Sequence, residues 1–407
     1  MTALPKPAGP RQAGLSRALA PDVARGLMLL LIALAHAPGF VSDRAPTTVN
    51  TVAELLRSLL AENQARSMFI VLFGYAMGQL LYRQEARGTG PVETRRLLRR
   101  RGIVLVGVGL AHYALLVPVD IVATYGFALL FLAAMVTAGD RVLLWTAAVT
   151  LPFGVALIGW TYQRAVAAEL SGEPSGMAPY MSADYATHVV SGLPGWLPET
   201  VLSVIVVVPG MLFGIWAARR HYLDEPQAHA ALLRRAAVIL LLVALVTRLP
   251  EALVVAGFWV PASSATGWAL AILHTLGGCA GGVGLAALVG ILVARRTPDV
   301  APGPQAGSPV MPGPAAPGPL TTALAALGRR SLTFYLAQSL VWLALFYPFT
   351  LGLADTVSFA GAAAVAIGVW VLSVVAAGAM ERAGRAGPAE LLVRRLAYGR
   401  RTSVRPG

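Results

Sequence analysis

Apolar segments of membrane-crossing length recur along this chain, and they leave very few folds open to it. A helix needs about 20 mostly apolar residues to cross the hydrocarbon. Ten such segments are read, at roughly 23–42, 66–83, 102–118, 121–139, 142–161, 199–218, 235–257, 267–294, 330–349 and 357–380. With no water to bond them, backbone groups in lipid must pair inside their own segment, so the runs are expected to be helices. The expected fold is all-α: a polytopic transmembrane bundle of about ten spans. Composition agrees, with 57% of the 407 residues hydrophobic and 13% charged, against about 25% charged in soluble domains.

Charge sets the orientation. A net charge of +13 in a soluble chain would point to nucleic acid. Here the arginines flank apolar runs, which is the positive-inside pattern, and no nucleic-acid partner is expected. The loop after the second span, "YRQEARGTGPVETRRLLRRRG", holds seven arginines, and basic residues recur in "ARRHYLDEPQAHAALLRR" and "ERAGRAGPAELLVRRLAYGRR". Ten spans place all of these, and both termini, in the cytoplasm of a multi-pass protein of the cell (inner or plasma) membrane. The motif "AHA" at 35–37 imitates a signal-peptidase site, but the string of spans that follows favours an uncleaved first span. The single cysteine, Cys279, lies among small residues in "LGGCAGG" and reads as packing; it excludes an intrachain disulfide and a cysteine-built metal site.

The chain divides accordingly. Residues 1–20 form a cytoplasmic tail and 21–296 an eight-span bundle with one long outer loop at 162–198, where Trp196 reads as an interfacial anchor. Residues 297–320, rich in Pro, Gly and Ala, read as a cytoplasmic linker. Residues 321–382 hold the last two spans. In the basic tail 383–407, "GPAELLVRRLAYG" reads as an amphipathic interfacial helix.

Ionisable groups inside the hydrocarbon cost about 2.5–3.5 kcal/mol each on insertion scales and mark function by default. At about 1.5 Å per residue, His36, His112, Asp120, Arg248, Glu251 and His274 fall at similar depth between the midplane and the outer face. Each has a bland reading: an internal ion pair for Arg248 and Glu251, satisfied core histidines, a helix cap for Asp120. Their shared depth across five spans argues instead for a polar chamber opening outward. In the first span, "DVARGLMLLLIALAH", Arg25 and His36 are eleven residues apart. At about 100° per residue they share a face, about 16 Å apart along the axis. That suits a long ligand with an anionic head held by a forked arginine and its reactive end near a histidine base. Thr333, Tyr335, Gln338 and Ser339 put further hydrogen-bonding groups on one late span. No carboxylate–histidine spacing argues for a metal.

"APDVARGLMLLLIALAH" resembles the first span of the transmembrane acyltransferase superfamily, which includes bacterial membrane O-acetyltransferases and the lysosomal heparan-α-glucosaminide N-acetyltransferase. "FIVLFGYAMG" (69–78), "GLAHYALLVPVDIVATYG" (109–126), "GRRSLTFYLAQSL" (328–340) and "GPAELLVRRLAYG" (387–399) resemble the YeiB-like bacterial membrane proteins, a family of unknown function in the same broad group. YeiB-like chains carry asparagine where this one has His36, and a histidine there moves it toward the acyltransferase pattern. The resemblance implies cytoplasmic acyl-CoA, above all acetyl-CoA, as co-substrate, held by Arg25 with Arg99, Arg100 and Arg101. His36 is then the base or acyl carrier, oriented by Asp120 or Glu251. A hydroxyl or amine acceptor, a small molecule or a glycan, is expected among His112, Tyr125, Arg248, His274 and Gln338. Membrane lipid is the surrounding partner and a homodimer stays open. The rival reading is a transporter or a non-catalytic membrane protein that uses the same buried charges as a path.

The orientation has a direct test. In sealed cells an impermeant thiol reagent should label Ser175→Cys and leave Ser308→Cys untouched; labelling at 308 sinks the ten-span arrangement.

Overall fold

A computed structural model describes residues 18–42, 45–171, 176–178, 181–295 and 317–398. These are helical throughout and contain no β-strand. In chain order the helices are α1 (Leu19–His36), α2 (Thr48–Leu56), α3 (Gln64–Ala86), α4 (Pro91–Leu115), α5 (Val122–Leu132), α6 (Asp140–Leu170), α7 (Tyr185–Ser191), α8 (Leu193–Arg219), α9 (Ala230–Val255), α10 (Ser264–Ala294), α11 (Pro319–Arg329), α12 (Ser331–Phe346), α13 (Phe359–Arg382) and α14 (Pro388–Tyr398).

Every apolar segment read from the sequence falls on a helix, but the helices are unequal. Six are long and apolar enough to cross a membrane by themselves: α1, α6, α8, α9, α10 and α13. α3 and α4 have 23 and 25 residues and carry arginines at an end. α5 and α12 are apolar but only 11 and 16 residues long, about 17 Å and 24 Å at 1.5 Å per residue. The arrangement is that of a multi-pass membrane protein, and the count of ten expected above is not what the helix lengths deliver.

The segment read as an outer loop at 162–198 is helical at both ends, because α6 runs on to Leu170 and α8 starts at Leu193. Trp196 is no interfacial anchor: it is buried on α8, with its ring 6.4 Å from Phe127. The short α7 between them is capped by Asp184, whose side chain accepts from the Thr187 N–H at 2.9 Å. His188 of α7 tucks beneath Tyr347, and burial pushes its imidazole below the usual histidine range. The linker read at 297–320 lies outside the described residues as far as 316, and its last residues begin α11.

Two helix pairs approach so closely that only glycine fits. α1 lies on α11, where a Cβ on Gly26 would run into the Leu324 backbone and one on Gly328 into the Asp22 carbonyl. α3 lies on α8 in the same way, through Gly74 against Met211 and Gly214 against Val71. Small residues let backbones meet where lipid gives no hydrophobic drive to association. α14 is tied to the bundle by its acidic residue. Its Glu390 accepts from the Leu332 and Thr333 N–H groups at 2.8 and 3.1 Å and from the Thr333 hydroxyl at 2.6 Å. The carboxylate thus caps the N-terminus of α12, an arrangement favoured by the positive end of the helix dipole.

Gly328→Val should separate α11 from α1. The expected cost is about 1–3 kcal/mol or more, the scale of overpacking a filled interior. It should be read as a lower thermal midpoint in detergent, with Gly88→Val, where a Cβ meets nothing, affected only through its turn backbone (φ 72°).

Candidate functional site: two cavities and a buried ionic knot

Two cavities lie end to end along α1 and α3. The first, of about 470 Å³, opens at the basic end of the bundle and is lined by α1, α3, α4, α5, α11, α12 and α14. Five arginines face it: Arg25, Arg83, Arg101, Arg329 and Arg394, against one carboxylate, Glu390. Arg25 is paired with Asp22 at 2.9 Å and donates to the Leu72 carbonyl at 3.3 Å; Arg329 is paired with Glu381 at 2.7 Å. Arg83, Arg101 and Arg394 make no salt bridge among the described residues. The Glu390 charge is already spent on the end of α12. The cavity is therefore a cationic bay, and Tyr398 and Val393 of α14 form one wall of it.

The second cavity, of about 260 Å³, lies toward the opposite end and is lined by His36, Glu62, Asn63, Arg66, Asp120 and Tyr162, among others. Phe69 and Tyr335 face both cavities and form the wall between them. Tyr335 is fixed there by donating its hydroxyl to the Val119 carbonyl at 3.2 Å. Arg25 and His36, on one face of α1, thus look into different cavities separated by two aromatic rings. The His36 ring is half-buried and has no hydrogen bond to any described residue.

Behind this cavity sits an ionic knot. The chain enters it through α2 and a π-turn at Arg57–Ala61, then passes Asn63 at φ 54° into α3. Arg57 is clamped between Glu54 at 2.6 Å and Glu62 at 3.1 Å. The Glu251 carboxylate accepts from the Ser58 hydroxyl at 3.2 Å and stands 2.6 Å from His274 Nδ1. Arg248 is fully buried and donates to the Ser58 carbonyl. Asn63 donates to the Thr275 carbonyl at 3.2 Å and accepts from Arg66 at 2.6 Å. Tyr162 lies 4.7 Å from the His274 ring and faces the cavity.

The expected site residues divide among these places. His36 and Asp120 line the second cavity. Asp120 is tied up, because it caps α5 through Val122 and Ala123 N–H at 2.9 and 2.8 Å and lies 3.4 Å from His112 Nδ1. His112 shares a 2.8 Å hydrogen bond with Ser339 and lies behind Asp120, away from the cavity. Glu251, Arg248 and His274 belong to the knot and line neither cavity, which removes Glu251 as a direct partner of His36. Gln338 is buried and donates to the Leu29 carbonyl at 3.2 Å. Tyr125 lines the basic cavity, stacked 4.5 Å from Phe73. Of the three successive arginines only Arg101 faces that cavity; Arg99 and Arg100 are exposed, because neighbours on a helix point about 100° apart.

Glu54, Arg57, Glu62, Asn63, Arg66 and Tyr162 were not singled out from sequence. A signal existed: "AELLRSLLAENQAR" (53–66) alternates charges with leucine pairs at helical spacing, which is unlike a solvated loop.

Fold and site together define a polytopic all-α membrane protein with a cationic bay at one end. Residues 217–307 and 310–400 match the family described as "Protein of unknown function (DUF418)", the YeiB-like family that its motifs resemble. The matched region covers α9 to α14 and supplies Arg329, Glu390 and Arg394 to the bay; His36 and the 54–66 segment lie outside it. No curated protein matches the chain.

Removing one partner from a buried ion pair leaves an uncompensated charge, a loss of about 3–5 kcal/mol. Arg57→Ala, with 15% of its side chain exposed, should approach that loss in chemical or thermal unfolding, and Arg99→Ala should be near neutral. Equal effects of the two would show the knot to be solvated.

Proposed function

We propose that the protein is a membrane acyltransferase that takes an acyl group, acetyl above all, from cytoplasmic acyl-CoA and passes it to a hydroxyl or amine acceptor in the outer half of the membrane. The observation that carries this reading is the pairing of the two cavities: a bay with three arginines that make no salt bridge among the described residues abuts a chamber containing a histidine with no hydrogen bond to any of them. A nucleotide–phosphate head suits the bay, where Arg83, Arg101 and Arg394 have charge to give and a guanidinium fork matches phosphate. Its narrow thioester arm would follow α1 past Phe69 and Tyr335 toward His36, a run of about 16 Å. His36 takes the proton of the acceptor as its oxygen or nitrogen attacks the thioester carbonyl. The carbon–sulfur bond then breaks, and the thiolate leaves, regaining a proton. Asp120 holds the start of α5 and His112 in place; its role is positioning. The positive-inside rule puts the bay in the cytoplasm.

Two cavities sharing a thin wall also suit a transporter, with Phe69 and Tyr335 as the gate. Product chemistry separates the two: transport moves a solute unchanged, whereas transfer leaves labelled acetate bonded to a new molecule.

The two ends of the track should fail differently. Arg101→Ala and Arg25→Ala weaken ground-state hold on the donor and should mainly raise KM for acyl-CoA. His36→Asn removes the base and should lower kcat by about 10²–10⁴-fold without loss of folded protein. An unchanged transfer rate in His36→Asn defeats the chemistry and leaves transport as the better reading.

A further inference from the structure

A third cavity, of about 310 Å³, lies beside the outer chamber and shares Asn63, Arg66, Ile158 and Val206 with it as lining. Away from that junction it is apolar. Its walls are α3, α6, α8 and α10, and on α6 it runs from Leu144 to Ile158, about 21 Å of helix. That is roughly two-thirds of a 30 Å hydrocarbon core, somewhat more than one leaflet. α6 packs tightly on α8 at Gly154 and on α10 at Gly159. Nearer its start, Ala148 lines the groove and is exposed on the outside of the bundle. The volume equals about ten methylene-sized groups at roughly 30 Å³ each, room for a stretch of one hydrocarbon chain whose remainder lies along the exposed face of α6. At the head of the groove stands Arg66. Its only hydrogen-bond partner among the described residues is the neutral Asn63 side chain, and of the carboxylates lining the chamber Glu62 is bonded to Arg57 and Asp120 caps α5.

The geometry points to a lipid site: the groove holds the hydrocarbon tail of a phosphate-bearing lipid that slides in from the membrane beside α6, its phosphate meets Arg66, and a hydroxyl on its headgroup reaches His36 as the acyl acceptor. The acceptor role rests on the acyl-transfer reading above; the lipid site itself does not. An apolar slot would hold any tail, but an uncompensated guanidinium at its head selects an anionic one, because charge-assisted hydrogen bonds to phosphate are about twice as strong as neutral ones.

The site is tested with full-length protein in phosphatidylcholine vesicles containing phosphatidylglycerol that carries a photoactivatable diazirine at its tail end. After irradiation, adducts should map to 144–158 on α6 and 275–283 on α10, and unlabelled phosphatidylglycerol should compete them away. Ala148→Trp fills the groove and should reduce these adducts by about tenfold, whereas Val246→Trp, on the exposed face of α9, should leave them unchanged. Arg66→Gln should reduce labelling by the phosphatidylglycerol probe but not by a diacylglycerol probe with the same tail. Adducts spread over α9 and α13, or indifferent to both Ala148→Trp and Arg66→Gln, overturn the lipid site. The acceptor role is read separately by adding labelled acetyl-CoA: label recovered on phosphatidylglycerol supports it, and label only on a water-soluble molecule, with groove adducts intact, overturns it. Intact groove adducts with no transfer to anything overturn acyl transfer and leave the lipid site standing.

Discussion

Arg57, Arg248 and Arg66 sit inside a bundle where water cannot solvate them, and the rest of the structure is arranged around giving each a partner. A buried charge stays in place only when paired and hydrogen-bonded. Arg57 takes two carboxylates and Arg248 a backbone carbonyl in the π-turn. These bonds pin the 54–66 segment against α9 and α10, and that segment in turn delivers Glu62, Asn63 and Arg66 to the wall of the second cavity. Among the described residues Arg66 is answered by a neutral amide alone. The knot therefore shapes the chamber by what it satisfies and leaves a cation on its wall by what it does not.

The second organising feature is the contact of α1 with α11. Glycines 26 and 328 bring the backbones together, so that Arg329 and Asp22 come within 3.9 Å and the start of α12 faces the basic bay. α14 completes the bay by capping α12 with Glu390. α14 is amphipathic: Val393 and Ala397 are buried on the bundle while Leu392 and Leu396 stay exposed, and Arg394 lines the bay. A helix of this composition serves as a membrane-surface element or as a wall, and the capping carboxylate fixes it as a wall that keeps two leucines facing outward.

Much of the fold was legible in the chain. Hydropathy is a local property, and the cost of exposing backbone to lipid acts on each segment alone, so the helical positions and the all-α class follow from windows of about 20 residues. The shared face of Arg25 and His36 was legible for the same reason, since 3.6 residues per turn is a local constraint. Helix ends were less so: α6 continues well past its apolar run, and α5 stops after 11 residues.

What the sequence could not determine is which polar groups meet. His36, His112, Asp120, Arg248, Glu251 and His274 were expected in one chamber because they share a depth. Depth is one coordinate; facing is another, and it depends on how each helix is rotated against its neighbours. Ser58 meets Glu251 across 193 positions of chain and Asn63 meets Thr275 across 212. No local periodicity carries such a pairing. The sequence alone determined that this chain spans a membrane as helices, because lipid imposes that requirement segment by segment. Only the tertiary structure decided that His36 and Arg66 share a chamber while Glu251 and His274 are consumed in its wall, because desolvation lets a buried charge persist only where the folded bundle supplies its partner.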